Sequence, residues 1–299
     1  MAQKSTQRKA IALLITVFFI MLITLSVGVG LKYINEGKRS VDSEQFIFQS
    51  AMILEDVLQV LKTSKELEEV DSASALNTFL LTSEVIPFES NGVQILIKIS
   101  SARSKINPSV LKDAEAMKAF QNYLMKKNIN PVYANYLLDA MSGYKEDQTY
   151  TTDIFNINPT LYRDYISSQE HLEAINELYV SSYHDASVKY LDTQKIFNTS
   201  KDANHTLDLN FASASTFEII LGCDEMRAQE LSLDERVVES VEDLNLLDAE
   251  KLNLSRFKTS FFEAFIDVDV QVIQKDTTSK IRFEYNIKSK KGSNFVFEV

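Results

Sequence analysis

The segment VQILIKISSARSKINP, residues 93–108, is where the character of the chain changes. Val93, Ile95, Ile97 and Ile99 alternate with Gln94, Leu96, Lys98 and Ser100, the period-two pattern of a strand with one face buried. Asn91-Gly92 ahead of it is a hairpin-turn signal, and Pro87 limits the preceding VIPFE to a sheet edge. At Asn107-Pro108 the pattern turns helical, with Asn able to cap and Pro suited to the first turn.

From 106 to about 253 the spacing stays helical. LKDAEAMKAFQNYLMKKN and NPVYANYLLDAMSGY come first, TLYRDYISSQEHLEAINELYV follows Asn158-Pro159, and EIILGCDEMRAQEL opens the last stretch. Short amphipathic helices with tight connections predict a compact all-α module. Strand signals then return. Ile266, Val268, Val270 and Val272 alternate with polar neighbours, as do Ile281, Phe283, Tyr285 and Ile287, with QKDTTSK between them. Residues 290–294 read as a turn into a last strand holding Phe295, Phe297 and Val299. The expected sheet is antiparallel, with one face in water, and is interrupted in sequence by the helical module.

That sheet needs a cover, and the N-terminal region supplies one. In SEQFIFQSAMILEDVLQVLK, residues 43–62, Phe46, Ala51, Leu54, Val57, Leu58 and Leu61 form an apolar stripe. Faces of this helix not turned to the sheet are candidate partner surfaces, with Phe46, Phe48 and Leu61 the residues to test. Further upstream, residues 10–31 are 22 in a row without a charge, about 33 Å as a helix and enough to cross a bilayer core. Lys4, Arg8 and Lys9 precede them with no acid, so the positive-inside bias keeps the N-terminus in the cytoplasm and exports the bulk. Small residues at 26–28 and 28–30 offer a rival reading as a cleaved secretory peptide, but the apolar run exceeds the usual core of about 7 to 15 residues. No proline falls between 10 and 62, so the anchor is expected to run into the helix of 43–62.

The 299 residues carry a net charge of −11, and residues 1–32 hold four basic residues and no acid, leaving 27 basic against 42 acidic residues in the rest. Such a field repels nucleic acid and anionic lipid. Cys223 is the single cysteine, which excludes an internal disulfide and reads as a small buried apolar residue. His171, His184 and His205 have no partner at metal-ligand spacing, and no GxGxxG, GxxxxGK or GxSxG motif occurs. No catalytic constellation is visible, and the chain reads as no enzyme.

Taken together, these segments resemble the minor pseudopilins of type II secretion of the general secretion pathway protein K family. RKAIALLITVFF, residues 8–19, resembles a type III (prepilin) signal. Ile106 and Asn107 resemble the family's first I-N-x-N handover from strand to helix, and LDLNFASASTFEIILG, with Leu209 and Asn210, resembles its second, I-N-V-N-T-A-S. AQELSLDERVVESVEDL and SFFEAFIDVDVQV are similar to its later helices and returning strand. Asp208 and Phe211 stand where the family has Asn and Thr. The resemblance implies an α+β pseudopilin fold, a long N-terminal helix on a small antiparallel sheet with a large all-α domain inserted between strands. Its parts are a basic leader at 1–10, a transmembrane helix at 11–31, sheet-domain elements at 32–105, the inserted domain at 106–253 and closing strands at 254–299.

The resemblance further implies cleavage by prepilin peptidase between Ala10 and Ile11, methylation of the new terminus, and assembly with major and minor pseudopilins through a helix that includes Leu14, Ile15, Phe18 and Phe19. Ordinary subunits carry Glu at the fifth position after cleavage. Here that position is Ile15, and no acid occurs before Glu36, which suits a tip subunit with no charged partner above it. The expected function is therefore a cap on the pseudopilus, in the inner membrane with its bulk in the periplasm. The alternative is a minor pilin of a type IV pilus or DNA-uptake system. No cofactor is required. Calcium occurs in relatives, and LLDAMSGYKED, residues 137–147, sits where the family has an acidic turn, with Glu146 and Asp147 the candidate ligands of a hard cation and a solvated turn the plainer reading. ILGCDEMRAQEL also suggests a helix–hairpin–helix nucleic-acid binder, but Asp224 and Glu225 flank Gly222, so direct nucleic-acid binding is not expected.

Overall fold

The computed structural model describes residues 42–83, 85–90, 93–147, 149–201, 205–232, 237–274 and 277–298. The expected membrane span at 11–31, the cleavage pair Ala10 and Ile11, the assembly residues Leu14, Ile15, Phe18 and Phe19, and the Asn91-Gly92 turn lie outside these residues. Among the described residues no helix is long and apolar enough to cross a membrane.

Among the described residues seven strands form, β1 (Val85–Ser90), β2 (Val93–Ser101), β3 (Leu207–Asp208), β4 (Thr259–Ser260), β5 (Phe265–Gln274), β6 (Thr277–Asn286) and β7 (Lys291–Glu298). Five of them make one sheet in the order β1-β2-β5-β6-β7, antiparallel throughout. Pro87 accordingly sits on an edge strand, where proline is tolerated. β2 and β5 are hydrogen-bonded neighbours from Val93↔Gln274 to Ser101↔Ile266. The chain therefore divides into two compact units, one joining the residues up to Ala102 to Ala264–Val299, the other Arg103–Glu263.

In the first unit the helix Asp42–Thr63 covers the sheet, meeting β6. Its buried stripe is Ser50, Ile53, Val57, Val60 and Leu61, a spacing of three and four. The stripe is rotated from the one expected: Ala51 is exposed, and Leu54 and Leu58 are half-buried. Phe48 points to solvent and is 66% exposed, whereas Leu61 belongs to the core. Opposite it stand Ile95, Ile97 and Ile99 of β2, Ile266, Val268, Val270 and Val272 of β5, and Ile281, Phe283 and Tyr285 of β6. Each of these Ile, Val and Phe side chains taken from water contributes about 1.5–3 kcal/mol. The last turn falls earlier than expected: Lys290 adopts a positive φ of 57°, Asn286 Oδ1 accepts from Ser289 N at 2.9 Å, and β7 begins at Lys291. On this outer strand Phe295 and Phe297 stay about half exposed, with Phe295 stacked on Phe283 at 5.4 Å.

The second unit holds the helices Ala114–Lys126, Tyr133–Ala140, Ile154–Ile157, Gln169–Tyr183, Thr193–Ile196, Ala214–Leu221, Glu225–Ser232 and Asp248–Leu254. Asp113, Ser168 and Ser213 cap three of them by accepting from first-turn N–H groups. The helix expected to open at Asn158-Pro159 begins instead at Gln169. Asn158 Oδ1 takes Thr160 N and Oγ1 at 3.2 and 2.8 Å, closing a local turn that competes with a helix start. Phe120, Leu124, Tyr133, Tyr136, Leu137, Tyr179 and Phe217 are fully buried in one core. That core also claims residues 254–263, which the sequence pattern assigns to the closing strands: Leu254 and Phe257 are buried in it, and β4 pairs in parallel with β3.

Because Phe283 is fully buried and stacked on the outer strand's Phe295, Phe283→Ala should lower the stability of the sheet unit by about 3–5 kcal/mol. Chemical denaturation followed by tyrosine fluorescence will show it, and an unshifted midpoint would contradict the packing described.

Candidate functional site

The two strand-to-helix handovers are the residues singled out by sequence, and they meet in the core of the helical unit. Ile106, only 4% exposed, forms a parallel bridge with Phe197: its N donates to Ile196 O at 2.8 Å and its O accepts from Asn198 N at 3.0 Å. Asn107 caps the 3-10 turn Pro108–Lys112 by accepting from Ser109 N at 2.9 Å, and its Nδ2 donates to Ser200 O at 3.0 Å. Leu209 and Asn210 lie on the turn Leu209–Phe211. Leu209 enters the same core as Ile106. Asn210 works as a staple: Nδ2 donates to Val238 O at 2.9 Å and Phe261 O at 2.7 Å, while Oδ1 accepts from Val238 N at 2.7 Å.

Three residues not singled out beforehand for this role tie the handovers together. Asp208 is fully buried: its N donates to Arg103 O at 2.8 Å, Oδ1 accepts from Asn210 N and Oδ2 from Glu263 N, each at 3.0 Å. One residue, through its backbone N–H at one end and its carboxylate at the other, thus joins the first and last residues of the helical unit. Arg103, 2% exposed, donates through Nη1 to His205 Nδ1, which also faces Asn198 Nδ2 at 3.0 Å. With Nδ1 accepting, Nε2 carries the proton and donates to Lys105 O at 2.8 Å, which fixes the neutral tautomer. Sequence spacing could not reveal this pair because the two residues stand 102 positions apart. The departure at Asp208 from the family's Asn was the one local signal.

The electrostatics follow from burial. Loss of solvent pushes the Asp208 carboxyl from 3.8 up to about 6, opposed by the backbone N–H groups of Glu263 and Asn210. His171 sits elsewhere, at the start of Gln169–Tyr183, where burial lowers its pKa and Nδ1 accepts from Ser167 N at 3.2 Å. His184 terminates the same helix in the left-handed region, φ 54°. The thiol of Cys223 is raised to about 11 by burial and contacts Phe217 O at 3.7 Å, the state of a packed side chain rather than a nucleophile.

The hairpin between Ala214–Leu221 and Glu225–Ser232 turns on Gly222, φ 69°. A Cβ there would lie 2.9 Å from Asn253 Nδ2, which donates to Leu221 O at 2.7 Å. Lys126 Nζ donates to the carbonyls of Gly222 and Cys223 at 2.8 and 2.9 Å, and Lys127 bridges Glu218 and Glu225 at 3.0 and 2.9 Å. The hairpin's polar groups serve packing within the unit. Among the described residues, no group of three or more His, Cys, Asp or Glu is placed to hold a metal ion. Asp147 spends its Oδ1 on Thr149 N and Oγ1 at 3.2 and 2.8 Å, while Glu146 is exposed.

The pH dependence of the Asp208 clasp has a definite sign. Because the folded carboxyl binds its proton more tightly than the unfolded one, its contribution to stability is fully present below about pH 4 and is lost as pH rises through about 6. Asp208→Asn removes that component, on the order of 3 kcal/mol across this window. It also costs about 1–3 kcal/mol at every pH, since the amide cannot accept from both Asn210 N and Glu263 N. Denaturant unfolding at pH 4 to 7 should give a flatter profile for the variant; parallel profiles would count against the buried clasp.

No protein-family profile matches the chain, and no curated protein matches it in sequence. A solved structure does match in fold: a chain in the crystal structure of the GspK-GspI-GspJ complex from the type 2 secretion system of enterotoxigenic Escherichia coli. The two chains are 10% identical, the match covers 86% of this chain and 97% of that one, and the TM-score is 0.52. The resemblance read from the handover motifs holds at the level of the fold.

Proposed function

We propose that this chain is a minor pseudopilin of a type II secretion system and that it takes the tip of the pseudopilus. The observation that carries the reading is the interrupted sheet: β2 and β5 are paired neighbours, yet the whole unit Arg103–Glu263 lies between them in sequence. This plan is what the handover motifs imply, and the fold shared with a chain of a GspK-GspI-GspJ complex supports it. A second compact unit on each subunit is bulk that a filament of closely stacked helices has no room to repeat, so a terminal position suits it. Ile15, at the position where a carboxylate would call for a charged partner above, agrees with that place.

In this reading residues 11–31 anchor the chain in the inner membrane, the N-terminus is cytoplasmic and the bulk periplasmic. Prepilin peptidase cuts between Ala10 and Ile11, the new N-terminus is methylated, and Leu14, Ile15, Phe18 and Phe19 pack against other major and minor pseudopilins. Phe48, exposed on Asp42–Thr63, extends the same assembly surface into the periplasm.

Two experiments test the proposal. Co-expression of the full chain with its peptidase should yield an intact mass that begins at Ile11; cleavage near Gly28 or Gly30, or none, would remove the filament reading. Joining Ala102 to Ala264 by a short turn should leave a foldable sheet unit, because Ala102 N already donates to Phe265 O at 3.2 Å. Pseudopili assembled with that variant should lengthen under overexpression; unchanged length would refute the cap.

A further inference from the structure

We infer that the turn around Gly143, between the helices Tyr133–Ala140 and Ile154–Ile157, is closed by the protein's own cations, Arg163 and Lys145, in place of a divalent metal. This does not rest on the pseudopilin reading, since it concerns only how one segment of the helical unit is held.

Tyr150 is the hub. Its hydroxyl donates to Gly143 O at 3.0 Å and accepts from Lys145 N at 3.0 Å and from Arg163 Nη1 at 3.1 Å. The Arg163 guanidinium lies over three rings, with its carbon 4.1 Å from the centroid of Phe155, 5.5 Å from Tyr144 and 5.7 Å from Tyr150. Its Nη2 donates to Pro159 O at 2.8 Å. A single planar cation therefore binds the chain at 144, 150, 155 and 159. Lys145 adds the second charge: Nζ donates to Thr149 O at 2.9 Å and sits 5.0 Å over the Tyr150 ring. Gly143 permits the turn by taking φ 73°, where a side chain would be strained.

The carbonyls and most of the carboxylates a hard cation would draw on are engaged, and the exposed Glu146 by itself falls far short of a ligand set. Calcium takes about six to eight oxygen ligands. Here the Gly143, Thr149 and Pro159 carbonyls accept from Tyr150, Lys145 and Arg163. Asp139, 1% exposed, accepts from Thr151 N at 3.2 Å and from Thr152 N and Oγ1 at 2.6 and 2.8 Å. Asp147 is held by Thr149, and Asp153 accepts from the Tyr136 hydroxyl. Two side-chain cations at the same place would also repel a divalent ion. The residues present do not fit calcium. They supply about the same positive charge from within the chain.

Hydrogen–deuterium exchange on the full chain in detergent tests this. Arg163→Ala should raise exchange in peptides spanning 143–150 by about tenfold or more, and Arg163→Lys, which keeps the charge but not the planar stack, by less. Adding calcium chloride or EDTA to the wild-type chain should leave both that exchange and the melting temperature unchanged. Protection by calcium or loosening by EDTA would overturn the inference, as would wild-type exchange in Arg163→Ala.

Discussion

Everything in this chain hangs on the pairing of β2 with β5, nine antiparallel residue pairs that bring together strands separated by the entire helical unit. The pairing is possible because both strands bury every second residue, Ile95, Ile97 and Ile99 on one and Ile266, Val268, Val270 and Val272 on the other. A slip of one residue would turn one strand's apolar row to the solvent face while its partner's stayed buried, so burial sets the register as well as the strength. Once it is set, the two ends of the inserted segment must leave the sheet side by side. That constraint defines where the helical unit has to begin and end.

The helical unit meets this demand with buried polar chemistry rather than with more apolar surface. Asp208 accepts from Glu263 N and donates its own N to Arg103 O, so one residue secures both ends of the insert. Arg103 and His205 do the same for the first handover, through Lys105 O. Hydrogen bonds are directional where apolar contacts are not, and a junction that must hold two crossing segments in one geometry gains from that. The cost is a carboxyl kept in a dry place, visible in its raised pKa.

The same logic recurs at the turn around Gly143. A segment with little regular structure is organised by a cation over aromatic faces and by carbonyls that accept from Arg163 and Lys145. These arrangements hold backbone in place, and the side chains that could have done chemistry are occupied in doing so: the His205 imidazole is fixed in one tautomer, and the Cys223 thiol is buried and raised.

Local order was legible in the sequence because it depends on neighbours in the chain. Alternation marked β2, β5 and β6, Asn107-Pro108 marked the start of the insert, and spacing of three and four marked most helices. Where a polar residue had two local options the reading slipped, as at Asn158, whose side chain closes a turn instead of capping a helix. The rotation of the stripe on Asp42–Thr63 was likewise hidden, since Ala51 and Ile53 are both apolar and only the sheet beneath decides which faces it. What the tertiary structure alone decided were the long-range polar meetings, Arg103 with His205, Asp208 with Glu263, Asn210 with Val238 and Phe261. No periodicity encodes them, because such bonds exist only after the β2–β5 pairing has brought distant segments within hydrogen-bond reach.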